Sequence, residues 1–221
     1  KIAPNCAART LEADIRPIAE ISQKAGIAIE AACFLGSSPI RQYAEGWEMT
    51  KLLQLTRDAV SFAVREGLPV MYVTEDTTRA DPDSLRALYS TAIRAGASRV
   101  CIADTVGHAM PAGARAVVKF VQSIVDECGG GIGIDWHGHR DRDLAIENCL
   151  AAMEAGVHGL RLNPGNIRRP EHIKAVASEA KDRNLPIRIG VNGGSLDPAL
   201  YEKYEGLKPE AMVESALQEI A

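Results

Sequence analysis

The chain has 221 residues, 46% hydrophobic, 5% aromatic and with a formal charge of −4, enough for one large core and a poor match to a basic, stacking nucleic-acid binder. Its five cysteines, Cys6, Cys33, Cys101, Cys128 and Cys149, are odd in number and scattered without a C-x-x-C pair. That argues against a disulfide framework, a zinc ribbon or a cluster held by these cysteines alone. No apolar run reaches the ~18 residues of a membrane span and Lys1 opens no signal peptide, so a cytoplasmic enzyme without membrane or nucleic-acid partners is the expected class.

One rhythm recurs along the chain: an amphipathic helix, a glycine break, then a short β-rich run ending in polar residues. "KIAPN" at the start reads as the stub of a strand. "TLEADIRPIAEISQKAG" (10–26) carries Ile15, Ile18, Ala19 and Ile21 near helical spacing, with Pro17 as a kink or a shifted start. "QKAGIAIEAACFLGS" (23–37) and "REGLPVMYVTED" (65–76) each pass from a helix end into a strand. "DPDSLRALYSTAIRAG" (81–96) opens on Asp81-Pro82, a capping residue before proline and a clear helix start. Next come "RAGASRVCIADT" (94–105), the helix "MPAGARAVVKFVQSIVDEC", "GGGIGIDWHGH" (129–139) and the helix "RDLAIENCLAAMEAG". The rhythm closes with "EAGVHGLRLNPGN" (154–166) and "RNLPIRIGVNGGS" (183–195). The glycines at 26, 67, 96, 130 and 156 stand 26–41 residues apart, the size of one βα unit.

Alternating strands and helices imply a parallel sheet under helical cover. The spacing predicts neighbouring parallel strands over 70–74, 99–104, 132–137, 159–163 and 187–191. Six such strands, or seven with the opening stub, suit a (β/α)8 TIM barrel or a large part of one, read as a single domain over 1–221; a doubly wound sheet is the competing fold. Side-chain parity favours the barrel. Gly133, Asp135, His137 and His139 share one face against Ile134 and Trp136; Arg161 and Asn163 oppose Leu160 and Leu162; Arg188, Gly190 and Asn192 oppose Ile187, Ile189 and Val191. Buried strands of a doubly wound sheet are apolar on both faces. The late polar residues Glu75, Thr105, His137, Asn163 and Asn192 then fall at one mouth, the C-terminal ends of the strands.

His137 and His139, two apart on a strand, can face one cation, or equally form a hydrogen-bonded pair. Alone they leave a metal site incomplete, and Asp104 and Glu75 are the carboxylates nearest in pattern. "EDTTRADPDSL" (75–85), "IADTVGHAMP" (102–111) and "WHGHRDRDLAIENCLAAMEAG" (136–156) give residues from about 1 to 157 a resemblance to the metal-dependent acyltransferase and lyase barrels. These include 2-isopropylmalate synthase, homocitrate synthase and hydroxymethylglutaryl-CoA lyase. The resemblance implies a divalent zinc, manganese or magnesium ion on His137 and His139, with Glu75 and Thr105 as catalytic residues that orient a 2-oxo acid attacked by the carbon of acetyl-CoA. Two departures stand against it. Arg140 and Asp143 replace the Asn and Gly of the usual H-N-D-x-G run. The first-strand motif that supplies an arginine and a third, aspartate ligand has no counterpart in this sequence, so the site is expected to be incomplete for catalysis.

From about Leu160 the resemblance changes. "LRLNPGNI" (160–167), "PIRIGVNGGSLDPAL" (186–200) and "KPEAMVESAL" (208–217) resemble the barrel of hydroxymethylbutenyl diphosphate synthase. In that family the strand ends form a pocket for a cyclic diphosphate, and an iron–sulfur cluster held in a later domain does the reductive chemistry. Arg161, Asn163, Arg188 and Asn192 are the matching polar candidates for substrate binding. With no cysteine after Cys149, no iron–sulfur cluster is expected on this chain. The segments 1–157 and 158–221 thus read as parts of a chimeric barrel. Two alternatives to the acyltransferase reading are a non-catalytic scaffold assembled from two barrel enzymes and a diphosphate-binding barrel. An open barrel edge would also suit homo-oligomer formation. Trp47 and Trp136 read as packing residues, and Arg168 with Arg169 as a solvated pair or a phosphate contact.

Overall fold

The computed structural model describes residues 3–163, 167 and 169–220. Seven strands form one sheet in chain order: β1 (Asn5–Arg9), β2 (Glu30–Gly36), β3 (Val70–Glu75), β4 (Arg99–Asp104), β5 (Gly133–Gly138), β6 (Gly159–Leu162) and β7 (Ile187–Ile189). Every ladder is parallel. Helices α1 (Glu12–Ala25), α2 (Pro39–Glu45), α3 (Met49–Arg65), α4 (Pro82–Arg94), α5 (Pro111–Glu127) and α6 (Ala145–Ala155) alternate with them. After β6 come α7 (Pro170–Asp182) and, beyond β7, α8 (Pro198–Lys203) and α9 (Pro209–Ile220). The sheet is a large part of a (β/α)8 barrel. It curls in strict sequence order and leaves β1 and β7 as its edges. The doubly wound alternative fails on strand order, because such a sheet reverses direction at a switch point. No helix among the described residues is long and apolar enough to cross a membrane.

The local signals act as read. Asp81 caps α4, its carboxylate accepting from the Ser84 N–H at 2.9 Å, and Gly26 closes α1 in the left-handed conformation. The opening strand lies at Asn5–Arg9, just beyond the "KIAPN" stub. Pro17 neither moves nor ends α1, which starts at Glu12 with Leu11 as an N-cap lacking a side-chain bond; packing of Ile15, Ile18 and Ala19 outweighs the lost backbone bond.

Parity separates the two faces. The outward residues Cys33, Tyr72, Ile102, Ile134, Trp136 and Leu160 of β2 to β6 are fully buried and join the helices in one core. Three hydroxyls are threaded through it: Tyr72 bonds Thr56 at 2.7 Å, and Tyr89 donates to the Cys101 carbonyl at 3.0 Å. The inward face has a small apolar patch of Ala32, Met71 and Cys101 with Val73 against it; apart from Phe34 of β2, its other strand residues are polar, charged or small. Truncation therefore separates the faces: Ile102→Ala, in the core, costs about 2–5 kcal/mol, whereas Val73→Ala on the inward face costs about 1 kcal/mol. Urea denaturation of the two variants checks this, and equal losses would contradict the assignment of the faces.

Candidate functional site

The ladders set the inward residues side by side. Arg99 of β4 pairs with Gly133 of β5, Asp135 with Gly159 of β6, His137 with Arg161, and Arg161 with Arg188 of β7. Asp135, fully buried, is shared by two cations: Arg99 Nη2 on Oδ1, and Arg188 Nε on Oδ2 at 2.8 Å. Arg99 Nε also lies 3.6 Å from Glu30 Oε1, and Asn5 Nδ2 donates to Glu30 Oε2 at 2.6 Å. An ionic layer thus crosses the concave face from β1 to β7.

Above that layer Arg161 Nη1 sits 3.0 Å from His137 Nε2. The guanidinium has only donors, so Nε2 accepts and the proton of the neutral ring is on Nδ1. Burial first, then the charges of Arg161, His139 and Arg188, hold the His137 pKa well below the usual histidine value. Burial and neighbouring Arg188 also weaken the charged form of Arg161. His139 stacks on His137, centroids 4.9 Å apart at 30°. Gly190, just past β7, is what admits Arg161: a β-carbon there would collide with its Nε, Nη2 and Cζ. Gly159 makes the same allowance below, where a β-carbon would stand 2.8 Å from Asp135 Oδ1.

A cavity of about 430 Å³ opens at this mouth between the end of β5–β6 and α6; His139, Arg161 and Asn163 line it beside Gly138, Arg140 and Cys149. The remaining candidates stand apart from it. Glu75 lies 3.7 Å from Arg41. Thr105 Oγ1 accepts from the Asp76 N–H at 2.8 Å, which ties the ends of β3 and β4 together. Asn192 is exposed and its Oδ1 accepts from Ser195 N at 3.1 Å, while Asn163 Nδ2 reaches Ser195 Oγ at 3.0 Å. His137 and Arg188 form the inner wall behind Arg161. Arg168 lies outside the described residues. Sequence reasoning passed over Arg99, Asp135 and Glu30; their inward parity was the available signal, but which carboxylate meets which arginine follows only from register.

A divalent metal finds a poor donor set here. Among the described residues no three His, Cys, Asp or Glu side chains converge. Arg161 occupies the His137 lone pair. Asp104, on the outward face, is committed to Thr78 Oγ1 at 2.7 Å and His108 N at 2.8 Å. Two consequences can be measured. Asp135→Ala strands Arg99 and Arg188 and costs about 3–5 kcal/mol in urea denaturation; a loss below 1 kcal/mol would contradict the shared-carboxylate geometry. With its folded pKa depressed, His137 is neutral in the native chain while an unfolded histidine binds a proton below about 6.5. Stability is therefore complete above that pH and falls as pH drops below it. His137→Gln flattens this part of the profile, and an unchanged slope would contradict the buried neutral ring.

Comparison with known proteins places this geometry. The HMGL-like family model matches residues 2–161 and the GcpE TIM-barrel domain model residues 110–221; the second match starts about fifty residues before the change of resemblance at Leu160. A 4-hydroxy-3-methylbut-2-en-1-yl diphosphate synthase (flavodoxin) of Maridesulfovibrio salexigens is 62% identical over 83 residues, 38% of this chain and 22% of that protein. The same-named protein of Caldanaerobacter subterraneus subsp. tengcongensis is 51% identical over 82 residues, 37% of this chain and 22% of its own. The matched segments thus span about a fifth of the length of these relatives. Among solved structures, hydroxymethylglutaryl-CoA lyase from Pseudomonas aeruginosa aligns with 100% of this chain and 75% of its own at TM-score 0.64 and 17% identity. The HMG-CoA lyase from Brucella melitensis aligns with 86% and 71% at TM-score 0.60 and 16% identity. These two likenesses show the fold.

One expectation is corrected by these matches. A divalent metal with no iron–sulfur cluster was the expected cofactor assignment, yet the diphosphate synthases that match here are of a family that carries such a cluster. The scarcity of cysteines misled because the matched segment is a small part of those proteins. By these matches the chain belongs to the HMGL-like family over residues 2–161 and to the GcpE TIM-barrel domain family over residues 110–221.

Proposed function

We propose that this barrel segment binds a small phosphorylated metabolite, a diphosphate in the first instance, at the mouth formed by Arg161, His139 and Asn163, with His137 and Arg188 behind. The observation that carries the reading is the state of Arg161. Among the described residues it meets a neutral imidazole and no carboxylate, because the carboxylates of the concave face are spent on Arg99 and Arg188. A part-buried guanidinium held by a neutral ring keeps its remaining donors for an anion, and such charge-assisted bonds to phosphate are strong and directional. The names of the curated relatives support the same substrate class. In this reading the segment binds and orients; the chemical step belongs to parts of the relatives that these residues do not match.

Calorimetric titration with inorganic pyrophosphate tests it. Wild-type protein binds, Arg161→Gln weakens binding about 10–100-fold, and Gly190→Ala, which displaces Arg161, does so comparably. Arg86→Gln, on a distant ion pair with Glu127, leaves binding unchanged. Absence of wild-type binding, or indifference to Arg161, would overturn the reading.

A second reading takes its support from the HMGL-like match over most of the chain. Glu75 and Thr105, on strand ends joined by the Asp76–Thr105 hydrogen bond, would orient a 2-oxo acid while the acetyl carbon of acetyl-CoA attacks its carbonyl and water then cleaves the thioester. Release of free thiol from acetyl-CoA, dependent on added 2-oxoisovalerate and lost in Glu75→Gln, is its signature; no thiol release from the wild-type chain would end it.

A further inference from the structure

Helix α9 (Pro209–Ile220) is turned the wrong way round for a barrel helix. Elsewhere in the outer layer the large apolar side chains face the sheet; α4, for one, buries Leu85, Leu88 and Tyr89. In α9 the buried residues are the small Ala211 and Ser215. Val213, Leu217 and Ile220, spaced i, i+4 and i+7 on the opposite face, are 59%, 58% and 49% exposed. A single exposed apolar residue is ordinary, but a row of three on one helix face marks an interaction surface. Among the described residues α9 packs mainly on α8 and β7, and the row lies on the face away from its buried residues.

Two features fit this row to a copy of itself. The first is charge. Glu214, the acid beside the row, is drawn aside by Lys203 Nζ at 2.6 Å and by the Tyr204 hydroxyl. Glu210 stands in the first turn, where it complements the helix dipole. The row itself is neutral, so two copies can meet along it without forcing like charges together. A twofold axis at Leu217, the middle of the row, sets Val213 against the other copy's Ile220 and runs the helices antiparallel with opposed dipoles.

The second feature is size. With Leu207, 61% exposed in the turn before the helix, the row leaves open about 400 Å² of apolar surface, as large as the largest patches on monomers. Apolar atoms make up about two-thirds of a homodimer interface. A contact centred on the row therefore covers about 600 Å² per copy and about 1,200 Å² in all, the lower end of specific, stable dimers.

We propose that α9 is a self-association surface: two copies of this chain pair through Val213, Leu217 and Ile220, antiparallel about a twofold axis at Leu217. This differs from pairing at the open edges of β1 or β7, which would not bury the row.

Sedimentation velocity tests it. The wild type passes from monomer to dimer with a dissociation constant of about 1–100 µM, as an interface at the low end of the size range gives. Leu217→Glu and Leu217→Lys each set like charges across the axis and weaken the dimer at least about 100-fold. Because Leu217 is exposed, both variants keep the circular dichroism spectrum of the wild type. An equimolar mixture of the two restores the dimer, since opposite charges then face each other. Tyr43→Glu, at an exposed residue of α2, leaves association unchanged. A wild type that stays monomeric up to about 200 µM, above that range, overturns the proposal. So does a dimer that survives Leu217→Glu, which would put the contact elsewhere, as at a strand edge. A mixture that stays monomeric overturns the twofold pairing at Leu217.

Discussion

Asp135 is the hinge of the electrostatics. A carboxylate buried on the concave face is tolerable only with compensating charge, and it takes two arginines, from β4 and β7, to supply it. That one requirement ties strands across the sheet, fills the interior with an ionic layer where an apolar barrel layer would otherwise stand, and uses up the local negative charge. Glu30 is spent in the same way on Arg99 and Asn5. What remains above the layer is Arg161 against a neutral histidine, the contact on which the proposed anion site rests.

Much of this was legible in the sequence and some was not, for definite reasons. Strand positions and the barrel were readable because apolar and polar residues alternate with period two, and because a helix signal such as Asp81-Pro82 is local. That His137 and His139 share one face followed from the same parity, whereas the stacking of their rings is seen only in the structure. Register is not local. That His137 faces Arg161, and Asp135 faces Gly159, depends on how β5 and β6 slide against each other, and from the sequence an H-x-H pair points to a cation as readily as to an arginine. Glycines at 159 and 190 look like strand-end punctuation until the neighbouring guanidinium and carboxylate groups are seen to occupy the space a side chain would take. Glu75 and Thr105 sit at strand ends as expected, but the hydrogen bond of Thr105 to the backbone of Asp76 gives the threonine a structural task that no motif reveals.

The two family matches overlap over residues 110–161, the stretch that holds α5, β5, α6 and most of β6. Both His137 and Arg161 lie inside it. The histidine motif carried the metal expectation and the L-R-L-N-P-G motif carried the diphosphate expectation; the ladder between β5 and β6 makes them one contact. In the function proposed above, an arginine on the lone pair of a would-be ligand turns the site from cations to anions without altering either motif. The cavity beside this contact, bounded by α6 on its apolar side, is then a consequence of where the two patterns meet.

Thermal unfolding at constant ionic strength, with sodium pyrophosphate compared against zinc chloride, tests that reversal of sign most directly. A ligand at about a hundred times its dissociation constant stabilises the native state by about 2.7 kcal/mol, and each kcal/mol moves the midpoint of a chain this size by about 2–4 °C. Saturating pyrophosphate is therefore expected to raise the midpoint by about 5–10 °C and zinc to leave it unmoved. A midpoint raised by zinc and indifferent to pyrophosphate would contradict the account.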